Sequence, residues 1–165
     1  MKNTSNKITS SQQDGFTLIE LLIVITIIAA LAVTVFVALN PVKRLQDSRD
    51  SRRSADVETV LTAVHEYVVD NKGSLPTGLT TSMGEKMLGT AGAGCQLTQA
   101  NCVTTTAACV DLTTPLNKYL KSIPIDPGAT YSAGITGYSV SVDANNIVTV
   151  KACGGENNTA ISQSR

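Results

Sequence analysis

The segment that decides the fold reads GFTLIELLIVITIIAALAVTVFVALN and runs from Gly15 to Asn40. From Phe16 onward it contains one charged residue, Glu20, and neither glycine nor proline. A helix of these roughly 25 residues would be about 37 Å long, enough to cross a hydrocarbon layer of about 30 Å with some tilt. Its many Ile, Val and Thr residues favour helices only weakly in water, but in lipid the backbone must satisfy its own hydrogen bonds. The sequence therefore predicts a membrane-spanning helix.

The residues before this segment predict a targeting leader that differs from an ordinary secretory signal. They are rich in Ser, Thr, Asn and Gln and carry two basic residues, Lys2 and Lys7. A secretory signal places its apolar region before a cleavage site made of small residues. Here the order is reversed, because the polar leader ends at Gly15 and the apolar segment follows it. We therefore expect residues 1–15 to be a leader that signal peptidase does not process in the usual way.

Glu20 is the anomaly of the apolar segment. A carboxylate inside a membrane-spanning helix costs a few kcal/mol on insertion scales, so a partner or a function is expected. No basic side chain lies between Phe16 and Asn40 to pair with it. Cleavage of the chain between Gly15 and Phe16 would create an ammonium group at Phe16, within reach of Glu20 in a neighbouring copy.

Residues 15–20, with the apolar run after them, resemble the N-terminus of type IV pilin and pseudopilin precursors. The resemblance implies that a membrane prepilin peptidase cleaves after Gly15 and N-methylates Phe16. It also implies that Glu20 pairs with the N-terminus of another subunit during filament assembly, so Phe16 and Glu20 are the expected assembly residues. Methylation would keep the positive charge while adding bulk.

The same resemblance implies an α+β fold in which a long N-terminal spine helix packs on a small C-terminal antiparallel sheet with a disulfide-bearing loop. The implied partners are the prepilin peptidase, other copies of the chain and minor pilins in a helical filament, the pilus assembly platform, and membrane lipid before assembly. The implied function is that of a structural subunit of a filament on the cell surface. The alternatives are a pseudopilin of a type II secretion or competence (DNA-uptake) fibre and, more distantly, a single-span binding module.

The chain is expected to divide into a leader, two halves of a spine helix and a C-terminal domain. Residues 16–40 form the membrane and assembly half, and residues 41–72 form an amphipathic half with apolar residues at helical spacing between Val57 and Val68. Pro41 should kink or loosen the helix and push Asn40 out of helical dihedrals. The helix should stop at residues 70–73 with Gly73 at C′. Residues 73–165 form the variable loop and the β domain.

The C-terminal part predicts a small antiparallel sheet. Residues 138–142 and 147–152 alternate apolar and polar side chains on either side of residues 143–146, which predicts a hairpin. A third strand is expected at residues 130–132, because two strands alone are marginally stable. The rest is expected to be mostly loop, with a helical turn at residues 85–88 and a short helix at residues 115–121.

Four cysteines lie in the polar C-terminal part, and their even number suits disulfides in an oxidising compartment. Four cysteines allow three pairings. We favour a local loop closed by Cys95 and Cys102, with a second disulfide between Cys109 and Cys153. Zinc is the rival interpretation, but spacings of seven residues without a nearby His fit it poorly.

No metal site and no cofactor are expected. Asp126 and Asp143 flank the loop before the hairpin and are the calcium candidates, but residues 127–137 contain no carboxylate that would complete an oxygen-rich site. His65 lies among polar neighbours on the amphipathic helix, and no role is assigned to it.

Charged residues after the apolar segment bear on its orientation in the membrane. Asp50 with Arg53, and Arg52 with Asp56, have the spacing of weak pairs on a solvated helix face, and in a filament such charges can pair between subunits. Five basic residues between positions 43 and 53, against two in the leader, would by the positive-inside rule place the C-terminal domain in the cytoplasm. The cysteines and the leader motif favour the opposite orientation. We therefore expect a single-pass precursor in the cytoplasmic membrane with its C-terminal domain outside, and later an extracellular fibre.

Composition argues against catalysis and against nucleic-acid binding. Basic and acidic residues number 13 each, there is one His, and there is no Trp. A balanced charge gives no electrostatic attraction to nucleic acid. No His combined with Ser or Cys, and no phosphate-binding glycine loop, is recognisable. We therefore expect a structural protein and no enzyme.

Overall fold

The computed structural model describes residues 15–99, 101–128, 130–156 and 160–165. Apart from Gly15, the predicted leader lies outside the described residues. The chain divides into two compact units, and the division falls between Pro41 and Val42.

Helix α1, Leu18–Leu39, is the predicted apolar helix of the first unit. It ends because Asn40 has left-handed dihedrals, with φ 40° and ψ 73°. Proline disfavours the helical conformation in the residue before it, and asparagine tolerates left-handed backbone better than most residues. The prediction that Asn40 leaves the helix is therefore confirmed. A second helix begins at Pro41, where proline is tolerated because N–H groups of the first turn have no helical acceptor.

This second helix, α2, is Pro41–Asp70, and it ends in a Schellman motif. The N–H of Gly73 donates to the carbonyl of Val68 at 2.8 Å, and the N–H of Lys72 donates to the carbonyl of Val69 at 3.4 Å. This pattern puts Lys72, with φ 57°, at the left-handed C′ position. The predicted stop is in the right place, but the assignment of Gly73 to C′ is wrong by one residue, because the two hydrogen bonds hold Lys72 in the strained conformation.

Among the described residues of the second unit, six short strands form two antiparallel sheets. The main sheet has the order β1-β4-β5-β6, and β2 pairs with β3 alone. Within the main sheet, β4 and β5 form the predicted hairpin, with Tyr138 opposite Ala152 and Val142 opposite Val148. The strands are β1 (Lys86–Met87), β2 (Leu97–Gln99), β3 (Cys102–Thr104), β4 (Tyr138–Val142), β5 (Val148–Ala152) and β6 (Ser162–Ser164).

Three local predictions for this unit are wrong. The predicted helical turn at residues 85–88 contains β1, because the main chain there pairs with β4. Residues 113–119 form successive turns and no helix, since so short a segment gains few helical hydrogen bonds against the cost of nucleation. Residues 130–132 form no strand, because Ser132 exchanges backbone hydrogen bonds with Ile135 in a local turn. The strands that complete the sheet are β1 and β6.

The main core lies between α2 and the sheet. One face of α2 buries Val57, Val60, Leu61 and Val64. These residues belong to the same buried cluster as the inward-facing residues of β4 and β5, including Val140 and Val150. The apolar spacing of α2 therefore has the structural role that the sequence predicts. The α+β, pilin-like fold is confirmed in this respect, with a long N-terminal helix packed on a small antiparallel sheet that carries disulfides.

The second unit contains two disulfides, and the favoured pairing is wrong. Cys95 pairs with Cys109, and Cys102 pairs with Cys153. The β2–β3 pair, which was not predicted, explains the difference: Cys102 begins β3 and lies in the same buried cluster as Cys95 and Cys153. The sequence separations are 14 and 51 residues. On the chain-entropy model these disulfides contribute about 3 and about 4 kcal/mol.

Cys102→Ser should release the thiol of Cys153 and leave the other disulfide intact. After denaturation, alkylation and tryptic cleavage, the label should appear on residues 152–165 by mass spectrometry. As a control, Cys95→Ser should place the label on residues 87–118, which contain Cys109. Labelling of residues 87–118 in the Cys102→Ser variant would instead support the Cys95–Cys102 pairing.

Candidate assembly site

A capping box begins α1. Thr17 is the N-cap and Glu20 is the third helical residue. The backbone N–H and the hydroxyl of Thr17 donate to Oε2 of Glu20 at 2.9 and 2.8 Å, and the N–H of Glu20 donates to Oγ1 of Thr17 at 3.3 Å. Within the part of the chain that the structure describes, no hydrogen bond reaches Oε1 of Glu20. One carboxylate oxygen is therefore used inside the chain, and the other is available to a second donor.

This geometry sharpens the sequence analysis of Glu20. Among the described residues no ion pair involves Glu20, and Thr17 supplies neutral hydrogen-bond partners that we missed. The sequence did contain a signal for these contacts. A Thr with a Glu three residues later, just before an apolar run, is the pattern of a capping box. Glu20 thus has a local role at the helix start in addition to its charge.

The side chains of α1 are exposed along its whole length. None of its 22 residues is buried. Before the helix, Phe16 is 90% exposed. By length and composition alone, α1 lies in the one candidate membrane span found among the described residues. An exposed apolar surface of this extent indicates contact with lipid or with another protein.

In the second unit, Arg53 is the centre of a buried charge cluster. Its side chain is 2% exposed, and it forms a two-pronged contact with Asp126, with Nε–Oδ2 at 2.7 Å and Nη2–Oδ1 at 2.9 Å. Nη1 of Arg53 also donates to Asp50 at 2.7 Å and to Glu156 at 3.3 Å. These hydrogen bonds, the one to Asp126 first, raise the pKa of Arg53 above its usual value. The cluster joins α2 to the segments before β4 and after β5.

Glycines make room for the carboxylate of Asp126. A Cβ atom at Gly137 would lie 2.7 Å from Cβ of Asp126, and one at Gly154 would lie 2.9 Å from Oδ2. Gly137 also has φ +83°, which glycine adopts more readily than other residues. The N–H of Gly128 donates to Oδ1 of Asp126 at 2.7 Å. Asp126 is therefore fully hydrogen-bonded in a pocket shaped for it.

The two calcium candidates, Asp126 and Asp143, have different structural roles. Asp126 is held by Arg53, as described above. Oδ1 of Asp143 accepts hydrogen bonds from the N–H groups of Asn145 and Ile147 at 2.7 and 2.8 Å, and so shapes the β4–β5 turn. Among the described residues no group of three or more His, Cys, Asp or Glu side chains is placed to hold a metal ion. The structure does not bring Asp126 and Asp143 together as ligands.

A family model described as the prokaryotic N-terminal methylation motif matches residues 10–36. The match includes Gly15, Phe16 and Glu20, and it covers most of α1. The chain carries the type IV pilin and pseudopilin signature. No curated protein and no solved structure matches the chain.

The motif supports a type IV pilin or pseudopilin-like precursor. The family that carries this motif is structural. The motif implies processing by a prepilin peptidase and assembly into pilus-like polymers, and the apolar α1 agrees with a precursor anchored in a membrane. In this precursor the residues expected at the cleavage and assembly positions, Gly15, Phe16 and Glu20, lie together at the start of α1.

The charge cluster around Arg53 is a second feature that sequence reasoning missed. The charges between Lys43 and Asp56 were expected to form a solvated face, and this is wrong for Arg53. Arg53 precedes Val57 by one helical turn and so continues the buried stripe of α2, which is the signal that a reader of the sequence could have used. The Arg52–Asp56 pair does fit the expectation, since Arg52 is 63% exposed and its Nε is 3.7 Å from Asp56.

Arg53→Met should destabilise the second unit strongly, because it leaves Asp126 buried without its cation. Breaking one side of a buried pair costs about 3–5 kcal/mol. Urea unfolding of the full chain in detergent, followed by circular dichroism, measures this loss. Arg52→Met is the matched control and should cost less than about 1 kcal/mol. Equal stability of the two variants would contradict the assigned role of Arg53.

Acidification should weaken the same cluster through Glu156. Hydrogen bonding to Arg49, with Arg53 contributing, lowers the pKa of Glu156 below its ordinary value of 4.5. A carboxyl group with a depressed folded pKa stabilises the fold above the unfolded pKa, and this contribution is lost as pH falls through the folded pKa. We expect the unfolding temperature to drop below about pH 4.5, and Glu156→Gln to lower it at pH 7 and flatten its dependence on pH. An unchanged profile in Glu156→Gln would contradict this assignment.

Proposed function

We propose that the chain is a type IV pilin subunit, cleaved between Gly15 and Phe16, methylated on Phe16, and polymerised into an extracellular filament. The observation that carries the proposal is a helix of 22 residues that begins inside the matched motif and has no buried side chain. Before assembly, lipid would cover this surface. In the filament, the α1 helices of neighbouring copies would cover it.

The transfer of α1 from lipid into the filament cannot be driven by removal of apolar surface from water, because lipid is as apolar as another helix. Helix packing and polar contacts must supply the free energy instead. Cleavage provides such a contact: the new ammonium at Phe16 of one copy would bind Oε1 of Glu20 in another, while Oε2 keeps its hydrogen bonds to Thr17. The capping box therefore holds the carboxylate in position for a second donor.

The proposed domain organisation follows from this function. Residues 1–15 are the leader, residues 16–40 the membrane and assembly segment, residues 41–72 the amphipathic half of the spine, and residues 73–165 the outer domain. Two disulfides in the outer domain support its placement on the oxidising side of the cytoplasmic membrane. The leader would then remain in the cytoplasm.

A pseudopilin of a type II secretion or DNA-uptake fibre is the second candidate. The matched motif favours it as much as a pilin, because the signature is shared by both classes. The two differ in the fibre that forms: a pilin gives filaments that can be sheared from the cell surface, whereas a pseudopilin gives a short fibre within the envelope. Immunogold electron microscopy of cells that make the chain at its natural level would distinguish them.

Glu20→Gln should leave cleavage intact and abolish filaments. Glutamine preserves the capping hydrogen bonds to Thr17 but removes the charge that would pair with the ammonium of Phe16. The N-terminus is read by mass spectrometry, and filaments are counted by electron microscopy after shearing.

The matched control is Thr17→Ala, which removes the capping hydroxyl and preserves the charge of Glu20. It should retain filaments. Normal filament yield with Glu20→Gln would contradict the charge mechanism, and an N-terminus other than methylated Phe16 in the parent chain would contradict the proposed processing.

A further inference from the structure

Charge is divided unequally along α2. All of its basic residues lie before residue 54, and residues 54–71 contain acidic residues without a single Lys or Arg. The first part of α2, residues 41–53, also contains Asp47 and Asp50, but its basic residues outnumber them. The charged Asp and Glu residues of the second part, residues 54–71, are accompanied by no Lys or Arg. The basic residues are Lys43, Arg44, Arg49, Arg52 and Arg53, and the acidic residues of the second part are Asp56, Glu58, Glu66 and Asp70.

Some of these charges form ion pairs within the second unit, and others are exposed. Arg49 and Arg53 are held by the buried cluster around Asp126 and Glu156. The charges that remain for a partner are exposed: Arg44, Arg52, Glu58 and Glu66. Arg44, Glu58 and Glu66 form no ion pair in the described part of the chain, and Arg52 has a weak one to Asp56 at 3.7 Å.

The exposed charges have a common spacing. Glu58 follows Arg44 by 14 residues, and Glu66 follows Arg52 by the same 14 residues. Fourteen residues are close to four helical turns and about 21 Å of axial rise. A second, parallel α2 displaced by this distance would therefore bring Arg44 level with Glu58 and Arg52 level with Glu66.

Small side chains lie between the charges on the same face. Ala55, Thr59 and Thr62 line a shallow groove with Glu58 and Glu66, beside Tyr119 of the turn region. Small residues let two helix backbones approach closely enough for their flanking long side chains to meet. The groove and the charges thus suit another helix that carries basic residues at the same spacing.

We propose that this face of α2 docks a second copy of the chain in parallel, displaced by 14 residues, with Arg44 and Arg52 of one copy bound to Glu58 and Glu66 of the next. The proposal rests on the filament function and specifies a register for the part of the spine outside the membrane. Each copy offers its basic part to one neighbour and its acidic part to another. Such a head-to-tail contact is heterologous and propagates into a fibre unless rotation closes it into a ring.

An antiparallel pair would also match charges, with Arg44 opposite Glu66 and Arg52 opposite Glu58. It would be a closed dimer centred on Ala55, since each copy would use the same surface. Copies anchored in one membrane by the segment before Pro41 all leave that membrane in the same direction, which favours the parallel register. The two arrangements predict different compensating charge exchanges.

The test uses the full chain in the cells that make it, with their own peptidase and assembly system. Arg44→Glu and Glu58→Arg should each reduce sheared filaments about tenfold while cleavage at Phe16 stays normal, since about 1.4 kcal/mol lost at a repeated contact is tenfold in affinity. The double variant Arg44→Glu/Glu58→Arg should restore at least about half of the parental yield, because reversed charges attract equally well. The matched control Arg44→Glu/Glu66→Arg should stay defective.

Other results would overturn the proposal. Parental filament yield in both single variants, or no recovery in Arg44→Glu/Glu58→Arg, would exclude the 14-residue register, and recovery only in Arg44→Glu/Glu66→Arg would indicate the antiparallel dimer. The disulfide content of each variant, read as mobility on non-reducing gels, should equal that of the parent. Equal content excludes misfolding as the cause of a lower filament yield. A parent chain that is cleaved but forms no filaments would overturn the proposed function and this register with it, whereas filaments that tolerate the single variants would overturn the register alone.

Discussion

The organisation of this chain depends on one constraint: the exposed apolar side chains of α1 need a covering of lipid or of protein. No residue of α1 is buried, and its one charge is at its first turn. Lipid and neighbouring α1 helices are equivalent coverings for the apolar side chains, so the choice between membrane and filament falls to polar contacts. The capping box at Thr17 and Glu20 is therefore more than a helix start. It fixes the carboxylate three residues into α1, close to the N-terminus that the proposed cleavage would create.

The second unit is stabilised in a different way. Its sheet has only short strands, and two disulfides and one buried charge cluster supplement the apolar core between α2 and β4–β5. A buried ion pair is weak evidence for stability by itself, because desolvation offsets most of the attraction. The Arg53–Asp126 contact is nevertheless specific, since its glycine-lined pocket and its three carboxylate partners fit one arrangement of α2 against the loops. The outer face of α2, by contrast, exposes Arg44, Glu58 and Glu66, which form no ion pair in the described part of the chain.

Sequence reasoning succeeded where the determinants are local. The apolar helix, its interruption before Pro41, the buried stripe between Val57 and Val64 and the β4–β5 hairpin follow from periodicity and from proline and turn chemistry within a few residues. It failed where partners lie far apart in the chain. The strand at Lys86–Met87 exists because β4 is beside it, and β6 exists because β5 offers an edge. Neither segment has enough local β pattern to be recognised alone.

The same distinction between local and long-range determinants applies to the candidate site and to the charge cluster. The sequence by itself determined the apolar helix and the matched motif at its start, which includes Gly15, Phe16 and Glu20, because a motif of six consecutive residues and an uninterrupted apolar run are local properties. Only the tertiary structure decided the disulfide pairing and the burial of Arg53. Cysteines 51 residues apart and an ion pair 73 residues apart meet through the packing of β3, β5 and α2, and spacing along the chain does not encode that packing.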